Sequence, residues 1–104
     1  MRKIVLVCEN GASTGMVMKR MQKYADDNKI SVKIEAHPYA ELGELIADAD
    51  YVLLGPQIGY KKDETLQKYP ELAKKIDVIR PMDFGMLNGE KILKETIASI
   101  EKNA

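Results

Sequence analysis

Two short stretches of the chain are apolar at every position, Ile4–Val7 and Tyr51–Leu54. Such uninterrupted runs are typical of strands that are buried on both faces of a parallel sheet. Val32–Ala36 instead alternates apolar and charged residues, which predicts a strand with one wetter face at an edge of the sheet. A fourth, short strand is predicted at Val78–Ile79, where an arginine and a proline follow it.

Two longer segments have the spacing of amphipathic helices. The first begins near Ser13, which can cap its N-terminus together with the next residue, and ends in the polar run Asp26–Lys29. Asn88 is a suitable N-cap for the last helix. The apolar stripe of that helix is Ile92, Leu93, Thr96, Ile97 and Ile100. Both helices are therefore expected to pack one face on the sheet.

Shorter helical segments fill the remaining connections. Tyr39–Ile46 predicts a short helix that Gly43 weakens, and Lys61–Tyr69 predicts another. Pro70 is costly inside a helix and is expected to start a separate turn, in which Leu72, Ala73 and Ile76 pack. We expect Met82–Leu87 to be a loop.

The alternation of strands and helices predicts an α/β fold. Right-handed crossovers place the four strands in a parallel sheet with helices on both faces. If the sheet is doubly wound like that of flavodoxin, the strand order is 2-1-3-4 and ligands bind beyond the carboxyl ends of strands 1 and 3. The loops Cys8–Gly15 and Gly55–Tyr60 meet there. A length of 104 residues predicts a single domain, residues 1–104.

Composition narrows the class of protein. Sixteen basic and sixteen acidic residues give a formal net charge of zero, which favours neither nucleic acid nor an anionic membrane surface as a partner. A single cysteine excludes an internal disulfide and favours a reducing compartment. The apolar runs are far shorter than the roughly 20 residues of a membrane span. We expect a cytoplasmic monomer without direct membrane insertion.

The single cysteine, Cys8, stands between the first strand and a loop rich in small residues. The N-terminus of a helix favours negative charge, which populates the reactive thiolate and attracts phosphate oxygens. Gly11 permits a tight anion-binding turn, and Ser13 and Thr14 add hydroxyl donors. Such a loop can bind a phosphoryl group and attack it with sulfur. The P-loop and GxGxxG motifs are absent, and we expect neither a metal nor a cofactor.

Three functions remain open on this evidence. Cys8 can be a buried structural residue of a non-catalytic, flavodoxin-like binding module. It can be the nucleophile of a hydrolase similar to the low-molecular-weight tyrosine phosphatases, but their arginine position is occupied here by Thr14, and Asp83 is followed by Phe84 rather than by proline. Without the guanidinium, a phosphoryl group on Cys8 is held but poorly hydrolysed. That property favours a phosphoryl carrier.

Two motifs resemble a known family. The first is Cys8-Glu9-Asn10-Gly11-Ala12-Ser13-Thr14, a C-x-x-G-x-S-T pattern, and the second is the segment DADYVLLGPQIGY, Asp48–Tyr60. Together with length and element order, they resemble the enzyme IIB components of the lactose/cellobiose/chitobiose class of the bacterial sugar phosphotransferase system. The resemblance covers nearly the whole chain.

The resemblance implies a phosphotransferase relay. Enzyme IIA donates a phosphoryl group from phosphohistidine to Cys8, and the phosphocysteine passes it to a sugar bound by the membrane enzyme IIC. We expect the sugar to be a β-glucoside of the cellobiose or chitobiose type. The implied phosphate-binding residues are Glu9, Asn10, Gly11, Ala12, Ser13, Thr14 and Gly15. Glu9 departs from the family, which usually has a small residue there, and we expect its side chain to point outward.

Other residues leave their roles open. Gln57 either orients the second loop, contacts the phosphoryl site or is only a turn residue. We expect His37, the one histidine, to be structural. Tyr60 is expected at a packing or partner surface. Of Met16 and Met18, one is expected on the rim around Cys8 because both cannot face inward, and Asp83 and Phe84 are candidates for the same rim.

Overall fold

The computed structural model describes residues 1–9 and 12–103, without the side chains of residues 12 and 13. Its strands and helices alternate along the chain. They are β1 (Arg2–Cys8), α1 (Ala12–Asp27), β2 (Val32–Pro38), α2 (Leu42–Leu45), β3 (Tyr51–Leu54), α3 (Lys62–Lys68), β4 (Ile76–Val78), α4 (Pro81–Gly85) and α5 (Gly89–Lys102). Short 3₁₀ helices at Tyr39–Glu41, Pro56–Lys61 and Pro70–Leu72 precede α2, α3 and β4.

The four strands form one parallel sheet in the order β2-β1-β3-β4. This confirms the predicted α/β class and strand order. The register places Val7 between His37 of β2 and Leu54 of β3, and Cys8 beside Pro38. The N–H of Gly55 extends the pairing by donating to the carbonyl of Val7 at 2.8 Å. The loops that follow β1 and β3 therefore start side by side.

Alternate residues of β1 supply two cores, one on each face of the sheet. Ile4 and Leu6 pack with residues of α1 and α5. Val5 and Val7 pack with the apolar residues of α2, the 3₁₀ helices and β3. All four are completely buried, and burial of each such side chain stabilises the fold by about 1.5–3 kcal/mol. Because β1 has an apolar core on each of its two faces, every position of Ile4–Val7 is apolar.

Two elements differ from the sequence-based prediction. β4 begins at Ile76 and ends at Val78, so Ile76 belongs to the strand rather than to the preceding turn. Residues Pro81–Gly85 form the helix α4 where a loop was expected. Proline at the first helical position starts this helix without losing a hydrogen bond. A five-residue helix is too short to show a periodic pattern.

The N-terminus of α5 is capped by a side chain and packs closely against α1. The Asn88 side chain accepts a hydrogen bond from the N–H of Lys91 at 3.4 Å, so the predicted N-cap is confirmed. Gly89 allows α5 to approach α1 closely: a Cβ there would lie 2.7 Å from the backbone of Arg20 and Met21. Within the described ranges, no helix has the length and apolar character needed to cross a bilayer.

Candidate active site

Cys8 is the last residue of β1 and is 1% exposed. Four residues later α1 begins, a 16-residue helix whose first turn contains no acidic side chain. The aligned peptide dipoles of a helix favour negative charge near its N-terminus. Asn10 and Gly11 lie outside the described residues, as do the side chains of residues 12 and 13.

Thr14 brings a hydroxyl group to the sulfur. Its side chain is completely buried, and Oγ1 donates a hydrogen bond to Sγ of Cys8 at 3.6 Å. A hydroxyl that donates to sulfur stabilises the thiolate more than the thiol, because the charged acceptor is the stronger one. Thr14 occupies the position of the phosphatase arginine, and it thus offers the sulfur of Cys8 a neutral donor in place of a charged guanidinium.

The loop after β3 packs directly on Cys8. A Cβ added to Gly55 would lie 3.4 Å from Cβ of Cys8, 3.5 Å from Cγ2 of Thr14 and 3.0 Å from Oε1 of Gln57. Three side chains therefore lie closely around the position that a Cβ of residue 55 would take. The predicted meeting of the two loops is confirmed for these residues. The closeness of Gly55 to Cβ of Cys8 was not predicted, although a glycine directly after a buried strand is typical of a close backbone approach.

The other predicted residues divide between the surface and the core. Glu9 is exposed, as its expected outward direction requires. Met16 is 61% exposed, whereas Met18 packs against the core, so one methionine faces outward. Its place on the rim around Cys8 stays a prediction. Tyr60 is 76% exposed. Gly15 has open space where a side chain would project.

Asp83 and Phe84 of α4 contribute mainly to structure. Asp83 is 5% exposed, and its carboxylate lies 3.5 Å from Nζ of Lys91 and 3.9 Å from Nη1 of Arg80. Phe84 packs against the core formed by α1 and α5. These two side chains contact α5, Arg80 and the core.

His37 is held by two carboxylates on the β2 side of the sheet. Nε2 lies 2.9 Å from Glu35 and Nδ1 lies 3.1 Å from Glu41. The hydrogen bond from His37 lowers the pKa of Glu35, and the charge of Lys3 acts in the same direction. Among the described residues, no group of three or more acidic, histidine or cysteine side chains has the arrangement to hold a metal ion.

Comparison with known proteins identifies the class. Residues 3–95 match the family described as the lactose/cellobiose-specific IIB subunit of the phosphotransferase system (PTS). The chain belongs to this family. The resemblance seen in the two motifs is thereby confirmed, and the phosphatase and the non-catalytic binding module are not favoured.

Individual relatives are similar over most of their length. The chain is 36% identical to the PTS system cellobiose-specific EIIB component of Lactococcus lactis subsp. lactis, with 86% of this chain and 88% of that protein covered. It is 31% identical to the oligo-beta-mannoside-specific EIIB component of Bacillus subtilis, with 94% and 95% covered. The solution structure of a cellobiose-specific IIB component from Borrelia burgdorferi aligns with a TM-score of 0.82 at 35% identity, covering 97% and 93% of the chains.

Proposed function

We propose that this chain carries a phosphoryl group on Cys8, which it accepts from a phosphohistidine of enzyme IIA and delivers to a sugar bound by enzyme IIC. The supporting observation is the placement of the single cysteine at the carboxyl end of β1, where the Thr14 hydroxyl donates to its sulfur at 3.6 Å. Membership of the IIB family supports the same role.

Each transfer exchanges one bond to phosphorus for another. The Cys8 thiolate attacks the phosphorus, the P–S bond forms, and the P–N bond breaks. The imidazole nitrogen keeps the electron pair and takes up a proton. In the second transfer a sugar hydroxyl attacks, loses its proton, and releases the thiolate. Such transfers depend on in-line positioning and on stabilisation of charge, and they require little acid–base chemistry.

The segment Glu9–Gly15 is the proposed cradle for the phosphoryl oxygens. Its backbone N–H groups lead into the N-terminus of α1, and the hydroxyls of Ser13 and Thr14 add donors. Because Cys8 is 1% exposed, water has little access to the sulfur, which suits a carrier that must keep its phosphoryl group between transfers. The surroundings of Cys8 are expected to rearrange locally when a partner docks.

The docking surface is proposed at the carboxyl end of the sheet, around Cys8. Large apolar side chains are exposed on the elements that follow β1, β3 and β4. They are Met16, Tyr60, Met82 and Met86, between 61% and 76% exposed. Methionine adapts its shape to different partners, which suits a monomer that meets enzymes IIA and IIC in turn. We place this exchange in the cytoplasm, at the inner face of the membrane.

The proposed sugar is a β-glucoside of the cellobiose type. The chain is 36% identical to a cellobiose-specific EIIB component, and the Borrelia structure also has a cellobiose-specific name. A galactose-specific EIIB component of Lactococcus lactis subsp. cremoris is 35% identical. Sugar uptake assays with the cognate enzyme IIC would separate these substrates.

The decisive test is phosphorylation by a phosphorylated enzyme IIA carrying radioactive phosphate. We expect the label on Cys8, and a Cys8→Ser variant should take up no label. Failure of the wild-type protein to accept label from any cognate donor would refute the carrier role. Rapid turnover of an aryl phosphate without a donor protein would instead support a phosphatase.

A further inference from the structure

We infer that the side-chain carboxamide of Gln57 binds an oxygen of the phosphoryl group on Cys8. This inference rests on the carrier role proposed above and assigns a further residue to the same site. Gln57 belongs to the loop after β3, so the site would be built from two loops rather than from the cysteine loop alone.

Gln57 and Cys8 lie against the same face of Gly55. Oε1 of Gln57 and Cβ of Cys8 are 3.0 Å and 3.4 Å from the position that a Cβ of residue 55 would take. The Thr14 methyl group closes a third side at 3.5 Å. A phosphoryl group on the sulfur of Cys8 extends beyond Cβ, so its oxygens come within reach of the Gln57 carboxamide.

The loop after β3 is anchored to the protein, while the Gln57 carboxamide stays available to a ligand. Ile58, the next residue, is completely buried, and its N–H donates to the carbonyl of Gly55 at 3.0 Å. Pro56 restricts the backbone just before Gln57. Gln57 itself is exposed, and within the described part of the chain its carboxamide makes no hydrogen bond that would have to break.

Binding a phosphoryl oxygen requires the N–H donors of the carboxamide, of which it offers two, without charge. Oε1, the atom that lies nearest to Gly55, can only accept, so the exposed carboxamide must turn over and present Nε2 to the phosphoryl group. The carboxamide can orient a phosphoryl oxygen, but it withdraws less charge than the guanidinium that a phosphatase uses. Gly55, Thr14 and Gln57 are all uncharged. Neutral donors around the sulfur suit a group that must be handed on rather than hydrolysed.

The test compares Gln57→Ala with Gln67→Ala, because Gln67 is an exposed glutamine on α3. Label transfer to Cys8 is measured with phosphorylated enzyme IIA and, separately, with phosphoramidate, a small P–N donor. Loss of a hydrogen bond to a charged group predicts a rate about ten- to a hundredfold lower for Gln57→Ala. We expect this reduction with both donors, in the maximal rate, while Gln67→Ala matches the wild type.

The outcomes separate this inference from the carrier role. If wild type accepts label and Gln57→Ala accepts it equally fast, Gln57 does not bind the phosphoryl group, although Cys8 still carries it. If only the reaction with enzyme IIA slows, Gln57 serves docking and the inference is wrong. If wild type accepts no label from enzyme IIA, the carrier role itself fails. Thermal unfolding of both variants should match the wild type, since the Gln57 side chain is exposed.

Discussion

Replacing Gly55 by alanine fills the space between Cys8, Thr14 and Gln57. The added methyl group would touch Cys8 and Thr14 at 3.4 Å and 3.5 Å, which are ordinary contact distances. It would approach Oε1 of Gln57 to 3.0 Å, which is too close. The Gln57 side chain is exposed and flexible, so it is the group that must move away.

The effect on stability is expected to be small. The backbone angles of Gly55, φ −62° and ψ 151°, are ordinary for alanine, so the change stabilises by about 0.4–1 kcal/mol through the unfolded state. Overpacking costs about 1–3 kcal/mol where neighbours are rigid, and less here because Gln57 can turn outward. We therefore expect the free energy of unfolding to change by no more than about 1 kcal/mol.

The effect on phosphoryl transfer is expected to be much larger. The methyl group pushes the Gln57 carboxamide outward by a few tenths of an ångström or more, and it lies against Cβ of Cys8. Loss of one hydrogen bond to a charged group costs about 1.5–3 kcal/mol, which corresponds to a rate of Cys8 phosphorylation roughly ten- to a hundredfold lower. Urea unfolding and label transfer from phosphoramidate measure the two effects on the same sample.

Gly85→Ala in α4 is the matched control, because a Cβ there would meet nothing within 4 Å. This variant should keep the wild-type transfer rate. Transfer at the wild-type rate in Gly55→Ala would refute the argument that the space above Gly55 belongs to the phosphoryl site. A loss of stability of several kcal/mol would refute the packing argument instead.

Three further changes test separate parts of the structure. Glu9→Gln removes an exposed carboxylate beside the phosphorylated cysteine, so phosphorylation should be a few times faster at low salt, and the gain should shrink at high salt. Asn88→Ala removes the cap of α5 and should lower the free energy of unfolding by about 1 kcal/mol in urea titrations. Glu35→Gln removes a carboxylate whose pKa lies below its ordinary value of 4.5 because His37 donates to it. The ionised Glu35 carboxylate stabilises the folded protein above its ordinary pKa, and this stabilisation is lost as the pH falls through the lowered pKa. The free energies of unfolding of wild type and variant should therefore converge in acid.

For each of these three substitutions, one result would contradict the expected effect. Glu44 is another exposed glutamate, and a Glu44→Gln variant as fast as Glu9→Gln would show that Glu9 has no specific effect. An Asn88→Ala protein as stable as wild type would show that the 3.4 Å cap contact contributes nothing. A difference between wild type and Glu35→Gln that stays constant from pH 7 to strong acid would exclude the proposed linkage.

The sheet was predictable from sequence because its strands have strong apolar patterns. Ile4–Val7 and Tyr51–Leu54 each face two cores, and the alternation of Val32–Ala36 suits the edge position of β2. β4 was misplaced because three residues carry too little pattern to fix a boundary. The helix Pro81–Gly85 was missed because it spans less than two turns.

The candidate site was predictable only in part. The sequence places Cys8 at the end of a strand and Thr14, six residues later, at the start of a helix, and the two side chains are hydrogen-bonded. The contact of Gly55 with Cys8 depends on the pairing of β1 with β3, which brings together residues 47 positions apart. A local sequence pattern cannot predict a contact between residues so far apart in the chain. The proposed role of Gln57 depends on this contact.

The central claim is that Cys8 holds the phosphoryl group between donor and sugar. The most direct measurement starts from isolated protein labelled on Cys8, mixed with membrane vesicles that contain the cognate enzyme IIC and with cellobiose, without any phosphoryl donor. We predict that label leaves Cys8 and appears in sugar phosphate in equal amounts. Release of the label as inorganic phosphate, or its recovery on a residue other than Cys8, would contradict the claim.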